Sequence, residues 1–204
     1  MSISEKKNGS LFSEEEAKSF QLNDLLKASA EGLGKGNLGN CYKVMVEGRA
    51  AVVVKQIRNL KPLSSEELTR QMHIIAHQKH PNLPPLLASS YSKDEQLLVY
   101  KYPAGFHVGG AARLSIARGI ARALEYLHTS TTNSKSVVPH GNLKSTNVLL
   151  DCNGMDLISD YGLSSLKAQS IAVQNLVSYK PPGYQTTKKV SNMSDVWSYG
   201  CLLL

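Results

Sequence analysis

The chain has 204 residues, 42% of them hydrophobic, and carries 23 Lys and Arg against 16 Asp and Glu, a net charge of +7. That length holds one large domain or two small lobes with cores of their own, and no stretch approaches the ~18 consecutive apolar residues of a membrane span. The basic balance suits acidic partners such as phosphates, nucleic acid or an anionic membrane, but no run of about five or six like charges makes a polybasic arm, so an ordinary lysine-rich surface is the plainer reading.

Cys41, Cys152 and Cys201 are too few and too far apart for a disulfide framework or a zinc pattern. They point to a reducing, intracellular setting. Residues 1–19 are polar, lack an apolar signal core and read as a flexible lead-in. Leu22, Leu25 and Leu26 allow one or two helical turns. The glycine-punctuated run Gly34-Lys35-Gly36-Asn37-Leu38-Gly39 follows, leading into a predicted strand over Cys41–Val46. Glu47-Gly48-Arg49 turns the chain into a second strand, Ala50–Ile57. Ser64 or Ser65, with Glu66 and Glu67 behind, caps a helix to about His77, and Leu68, Met72 and Ile75 form its apolar face. Two short strands fit Leu86–Ser90 and Gln96–Lys101. Pro103-Ala104-Gly105 is a turn-rich hinge. An amphipathic helix is predicted over 111–128, with Leu114, Ala117, Ile120, Ala121, Leu124 and Leu127 on one face, and a Ser/Thr/Asn-rich loop ends it. A strand-rich half followed by a helix-rich half predicts an α+β fold with two lobes.

Five short motifs carry chemistry. A lone GxGxxG is weak, and here it lies between strands rather than opening a helix, which argues against a dinucleotide fold. A glycine hairpin can fold over phosphates because the backbone approaches closely; the bland alternative is an ordinary Gly-rich turn. Lys55 ends the run Val52-Val53-Val54, placed to reach a phosphate or simply to snorkel at an edge. His140-Gly141-Asn142-Leu143-Lys144-Ser145-Thr146-Asn147, then Asp160-Tyr161-Gly162, then Asp195-Val196-Trp197-Ser198-Tyr199-Gly200 complete the set.

In this order and spacing the five resemble the protein-kinase signature set. Asp24-Leu25-Leu26-Lys27-Ala28-Ser29-Ala30-Glu31, His80-Pro81-Asn82-Leu83, Leu98-Val99-Tyr100 and His140–Ser145 are similar to plant leucine-rich-repeat receptor-like kinases, in particular the pollen receptor-like branch. The resemblance runs from about residue 20 to the end. It implies a two-lobed kinase fold: an N-lobe with an antiparallel sheet and one helix over residues 20–102, with the hinge, and a mainly helical, incomplete C-lobe over 103–204. It also implies roles. Gly34, Gly36 and Gly39 would cover the phosphates of ATP, and Lys55 would touch them. Tyr100, Lys101 and Tyr102 would meet the adenine. Lys144 would sit near the transferred phosphate, and Asn147 and Asp160 would hold Mg²⁺.

The departures matter more. Asn142 stands where such enzymes have the catalytic Asp, and an amide cannot take a proton near neutral pH. Gly141 replaces an Arg that in many kinases pairs with a phosphorylated activation segment. Gln71 stands where a Glu pairs with the strand lysine; Glu67, one turn away, is a candidate substitute. The segment Lys101–Arg113 is short, and Pro181-Pro182-Gly183 lacks the usual Glu. The chain ends at Leu204 inside the Trp197-centred helix, which is expected to leave the face at Leu202–Leu204 uncovered. Hydroxyls at Ser164, Ser165, Ser170, Thr186 and Thr187 are open to phosphorylation, with nothing that singles one out.

The expectation is a pseudokinase that binds ATP weakly or not at all and scaffolds or regulates signalling proteins, including an active receptor-like kinase. The alternatives are a weakly active Ser/Thr kinase and a partial product that folds poorly. No nucleic-acid partner is expected. The expected place is the cytoplasm, with the inner face of the plasma membrane as the narrower version.

Overall fold

The computed structural model describes residues 8–11, 25, 27–36, 38–45, 48, 50–58, 60–92, 95–103, 112–129, 137–151, 153–166, 179, 181–182 and 190–204. Leu22, Leu26, Asp24, most of the 47–49 turn, Ala104, Gly105, the 130–136 loop, Ser170, Gly183, Thr186 and Thr187 lie outside them. The fold is α+β, as the residue pattern predicts. The chain divides into two compact units, Met1–Leu63 with Pro85–Tyr102, and Ser64–Pro84 with Pro103–Leu204.

The first unit is a six-stranded antiparallel sheet. Its strands are β1 Asn8–Leu11, β2 Ser29–Gly36, β3 Gly39–Met45, β4 Val52–Arg58, β5 Leu86–Ser92 and β6 Glu95–Lys101, in the order β1-β5-β6-β4-β3-β2. Leu25, Val44, Val52, Val54, Leu87, Ala88 and Val99 form one core cluster. Val53 and Ile57 point to the opposite face and are also buried. Both faces of β4 are therefore covered, which is why Val52-Val53-Val54 is an unbroken apolar run instead of an alternation. Strand β1 lies in the segment read as a flexible lead-in. Its residues, Asn-Gly-Ser-Leu, carry no β pattern; the pairing comes from β5, with Asn8 opposite Tyr91 and Leu11 opposite Ala88.

The second unit begins with α1, Ser65–Ala76. Ser64 is the N-cap, its hydroxyl accepting from Glu67 N at 3.2 Å, and Leu68, Met72 and Ile75 are buried. Helix α2, Ala112–Thr129, buries Ile120, Ala123, Leu124 and Leu127. Leu114, assigned to that apolar face from its spacing, is 62% exposed: it sits in the first turn, where no described residue covers it. A hairpin of β7 Val148–Leu150 and β8 Asp156–Ile158 follows, then α3, Asn192–Leu203, started by a Ser191–Ser194 capping box. Tyr199 donates its hydroxyl to the Ala117 carbonyl at 3.0 Å and ties α3 to α2. Among the described residues no helix is long and apolar enough to cross a membrane.

The sequence division placed residues 64–84 with the N-terminal lobe, whereas here they group with the C-terminal part. Hydrogen bonds give the reason. Asn82 donates its side-chain amide to the Asp156 carbonyl at 2.8 Å, and its own carbonyl accepts from Ile158 N at 2.8 Å. Lys79 N donates to the Tyr126 hydroxyl at 3.0 Å, and Tyr161 donates its hydroxyl to the Pro84 carbonyl at 3.1 Å.

Asp156 is a costly feature of this packing. It is 5% exposed, and its Oδ2 has no hydrogen-bond partner among the described residues. It lies against Gly119 of α2, where any Cβ would overlap the carboxylate. Burial pushes its carboxyl above the usual range, opposed by nearby Arg122 and His80. The neutral acid is therefore the form the fold prefers: its contribution is present below the unfolded pKa and lost as pH rises through the folded value. Asp156→Asn is expected to raise the melting temperature at pH 7, the gain shrinking as pH falls toward about 4. Thermal melts across that range check it, and a gain that grows on acidification would contradict it.

Candidate functional site

The predicted site residues fall in both units. In the first, β2 and β3 form the glycine hairpin, with Gly36 opposite Gly39, Gly34 opposite Cys41 and a bulge between Gly32 and Gly34. The three glycines are not equivalent. Gly39 has φ +144°, and a Cβ there would overlap the Gln56 carbonyl of β4. Its identity is a requirement of the sheet. Gly34 and Gly36 would meet nothing within 4 Å, so they present bare backbone to open space.

Lys55 lies opposite Cys41 on one side and Leu98 on the other. Its Nζ is 5.8 Å from the centroid of the buried Tyr100 ring, within cation–π range. Lys101 is exposed at the end of β6. Tyr102 N donates to the Ala51 carbonyl at 3.3 Å, and Lys43 Nζ stands 4.6 Å from the Tyr102 ring centroid.

In the second unit the 137–144 loop is fixed by Asp195, in the first turn of α3 and 1% exposed. Its Oδ2 accepts from His140 N at 2.7 Å and its Oδ1 from Gly141 N at 2.8 Å, while His128 Nε2 of α2 lies 2.9 Å from Oδ2. Gly141 has φ +73°, and a Cβ there would overlap the Ser164 hydroxyl. Its lack of a side chain thus has a local steric reason.

This loop brings three predicted residues together. Asn142, 3% exposed, donates Nδ2 to Asp160 Oδ2 at 3.5 Å. Asn147, at the end of the 3₁₀ turn Ser145–Asn147, donates Nδ2 to the Asn142 carbonyl at 2.8 Å. The Asn147 carbonyl accepts from Ser159 N at 2.8 Å, and Asp160 is next. Asp160 is 8% exposed and holds φ +71°, a left-handed conformation that a non-glycine residue keeps only when its surroundings impose it. Lys144 is half-buried and extended, just before the 3₁₀ turn. On α1, Gln71 donates Nε2 to Glu67 Oε1 at 2.9 Å, and Glu67 also accepts twice from Arg70 at 2.8 Å.

Sequence reasoning marked Asp195 as part of a motif but gave it no task, and it missed His128 altogether. His128 and Asp195 are 67 positions apart, and no local pattern announces such a pair. The Tyr161 hydroxyl bond to Pro84 was also missed; a Tyr in place of the Phe in the family's usual triplet is the signal that could have found it.

With this geometry in hand, the protein kinase domain family matches residues 28–204. The chain belongs to the protein kinase family. Within it, the relatives are plant leucine-rich-repeat receptor-like kinases. This kinase chain is 42% identical over 206 residues to the leucine-rich repeat receptor-like protein kinase PXC1 of Arabidopsis thaliana, covering 93% of the chain and 30% of the relative. It is 40% identical to pollen receptor-like kinase 1 of Petunia integrifolia, covering 91% and 27%. The chain thus spans less than a third of the length of these curated relatives. Among solved structures, the maize SIRK1 kinase domain bound to AMP-PNP aligns with a TM-score of 0.82 at 28% identity, covering 96% of this chain and 73% of that one. The pseudokinase domain of BIR2, an immune regulator of the RLK/Pelle family, aligns with a TM-score of 0.75 at 27% identity, covering 95% and 64%.

Two expectations follow for this kinase fold. Gly39→Ala is expected to destabilise the first unit by roughly 1–3 kcal/mol, whereas Gly34→Ala and Gly36→Ala stay within about 0.5 kcal/mol of wild type; urea unfolding of the three variants separates them. Asp195→Asn replaces one acceptor oxygen with an NH2 that faces either the His140 or the Gly141 N–H, and it is expected to cost about 3 kcal/mol, read by the same method.

Proposed function

We propose that this chain is a nucleotide-binding kinase-fold module of receptor-like type that scaffolds or regulates a signalling partner and transfers phosphate poorly or not at all. The observation that carries this reading is Asn142: at the place of the catalytic base stands an amide whose Nδ2 is bonded to Asp160. An amide can orient a hydroxyl but cannot take its proton, and a positioned base is worth ~10²–10⁴-fold in rate.

The parts that would hold a nucleotide are retained. Gly34 and Gly36 offer backbone to phosphates, and Lys55 and Lys144 offer positive charge. Tyr100, Lys101 and Tyr102 would serve as the adenine-facing segment. The maize kinase domain that shares this fold is bound to AMP-PNP, an ATP analogue, which supports ATP as the ligand. Asn147 and Asp160 suit Mg²⁺ as a donor set. They offer hard amide and carboxylate oxygens, and the Asn147 nitrogen is already engaged with the Asn142 carbonyl, which leaves the amide oxygen as its donor. When bound, that ion would neutralise phosphate charge. The likeness to the BIR2 pseudokinase domain favours a regulatory role. An active receptor-like kinase at the inner face of the plasma membrane is the partner we favour.

The same retained groups favour a second reading, a weakly active Ser/Thr kinase, because phosphoryl transfer depends largely on positioning and electrostatics. Radiolabelled transfer from Mg-ATP to a generic basic protein separates the two. We expect no signal above a Lys55→Met control; clear transfer that depends on Lys55 would establish the enzyme.

A further inference from the structure

Asn142 does more than lack a base's chemistry. Its side chain is buried, and its amide nitrogen meets the Asp160 carboxylate. A carboxylate in that place would set two negative charges side by side in a site largely closed to water. Two such charges would repel an incoming polyphosphate more strongly than one does. The amide lowers that repulsion, because it turns the positive end of a dipole toward Asp160. Within the bonded set Asn142, Asn147 and Asp160, the two amides add no charge to that of Asp160. Asn142 Oδ1 is buried with no hydrogen-bond partner among the described residues, so its side of the group offers an acceptor that is also uncharged.

We infer that this chain holds its nucleotide without needing a divalent cation, so that the free polyphosphate binds about as well as its magnesium complex. The inference rests on the nucleotide-binding reading above and adds its cation dependence. It follows from charge: a triphosphate entering beside two carboxylates needs Mg²⁺ to offset repulsion, whereas beside one amide-bonded carboxylate that repulsion is smaller.

The test is isothermal titration of the 204-residue chain with AMP-PNP, in magnesium and in EDTA, alongside Asn142→Asp. The expected result is a wild-type Kd in EDTA within about threefold of the magnesium value, and for Asn142→Asp a loss of at least about tenfold in EDTA that magnesium restores. Wild-type binding that appears only with magnesium overturns the inference and leaves the nucleotide reading standing. No binding in either condition overturns both. An Asn142→Asp variant that binds equally in the two overturns the assignment to Asn142. If a ligand-free melt shows that this variant does not fold, the wild-type comparison still decides the cation dependence.

Discussion

A single buried carboxylate, Asp195, organises the helical unit. Taken out of water alone, it would be strongly destabilising. Two backbone N–H groups of the 137–144 loop and the His128 ring surround it, so it meets donors from two other parts of the chain. The arrangement works in both directions: the loop needs the carboxylate to satisfy its buried N–H groups, and the buried carboxylate needs those N–H groups as donors. Helix α3 delivers it because the Ser191–Ser194 capping box fixes where that helix begins.

From that anchor a relay of hydrogen bonds runs to the candidate site. The Asn142 carbonyl receives the Asn147 amide, the Asn147 carbonyl receives Ser159 N, and Asp160 follows in its left-handed turn. A second set of bonds holds the same turn from the other side, through Asn82 to β8 and Pro84 to Tyr161. The strained Asp160 backbone is therefore determined from both sides. The site is built to hold a carboxylate in one place, and that construction is intact although the residue beside it is an amide. The architecture rests on many backbone groups, so it does not depend on which single side chain stands at position 142.

Much of this was legible in the residues. The Ser64 cap, the Leu68-Met72-Ile75 stripe and the valine run of β4 are local signals, and local signals survive into the fold. The order of the five motifs identified the kinase family for the same reason: each motif is short and keeps its own shape. The misses share a different cause. Strand β1 exists because β5 offers it an edge, Leu114 is exposed because no described residue covers it, and the His128–Asp195 pair joins two distant elements. None of these is written within the segment concerned. The glycines of the hairpin are an intermediate case: the spacing found them, but only the register with β4 tells Gly39 from the other two.

That distinction has an evolutionary consequence. Gly39 is tied to its identity by the neighbouring strand, whereas a Cβ at Gly34 or Gly36 would meet nothing within 4 Å, so the sheet makes no such demand there. In a lineage that abandoned its ligand, drift would erase those two glycines and spare Gly39, since the sheet would go on rejecting every replacement. If the hairpin covers a ligand, the state of those two glycines would report whether selection acts on it, and the third would report only that the domain still folds.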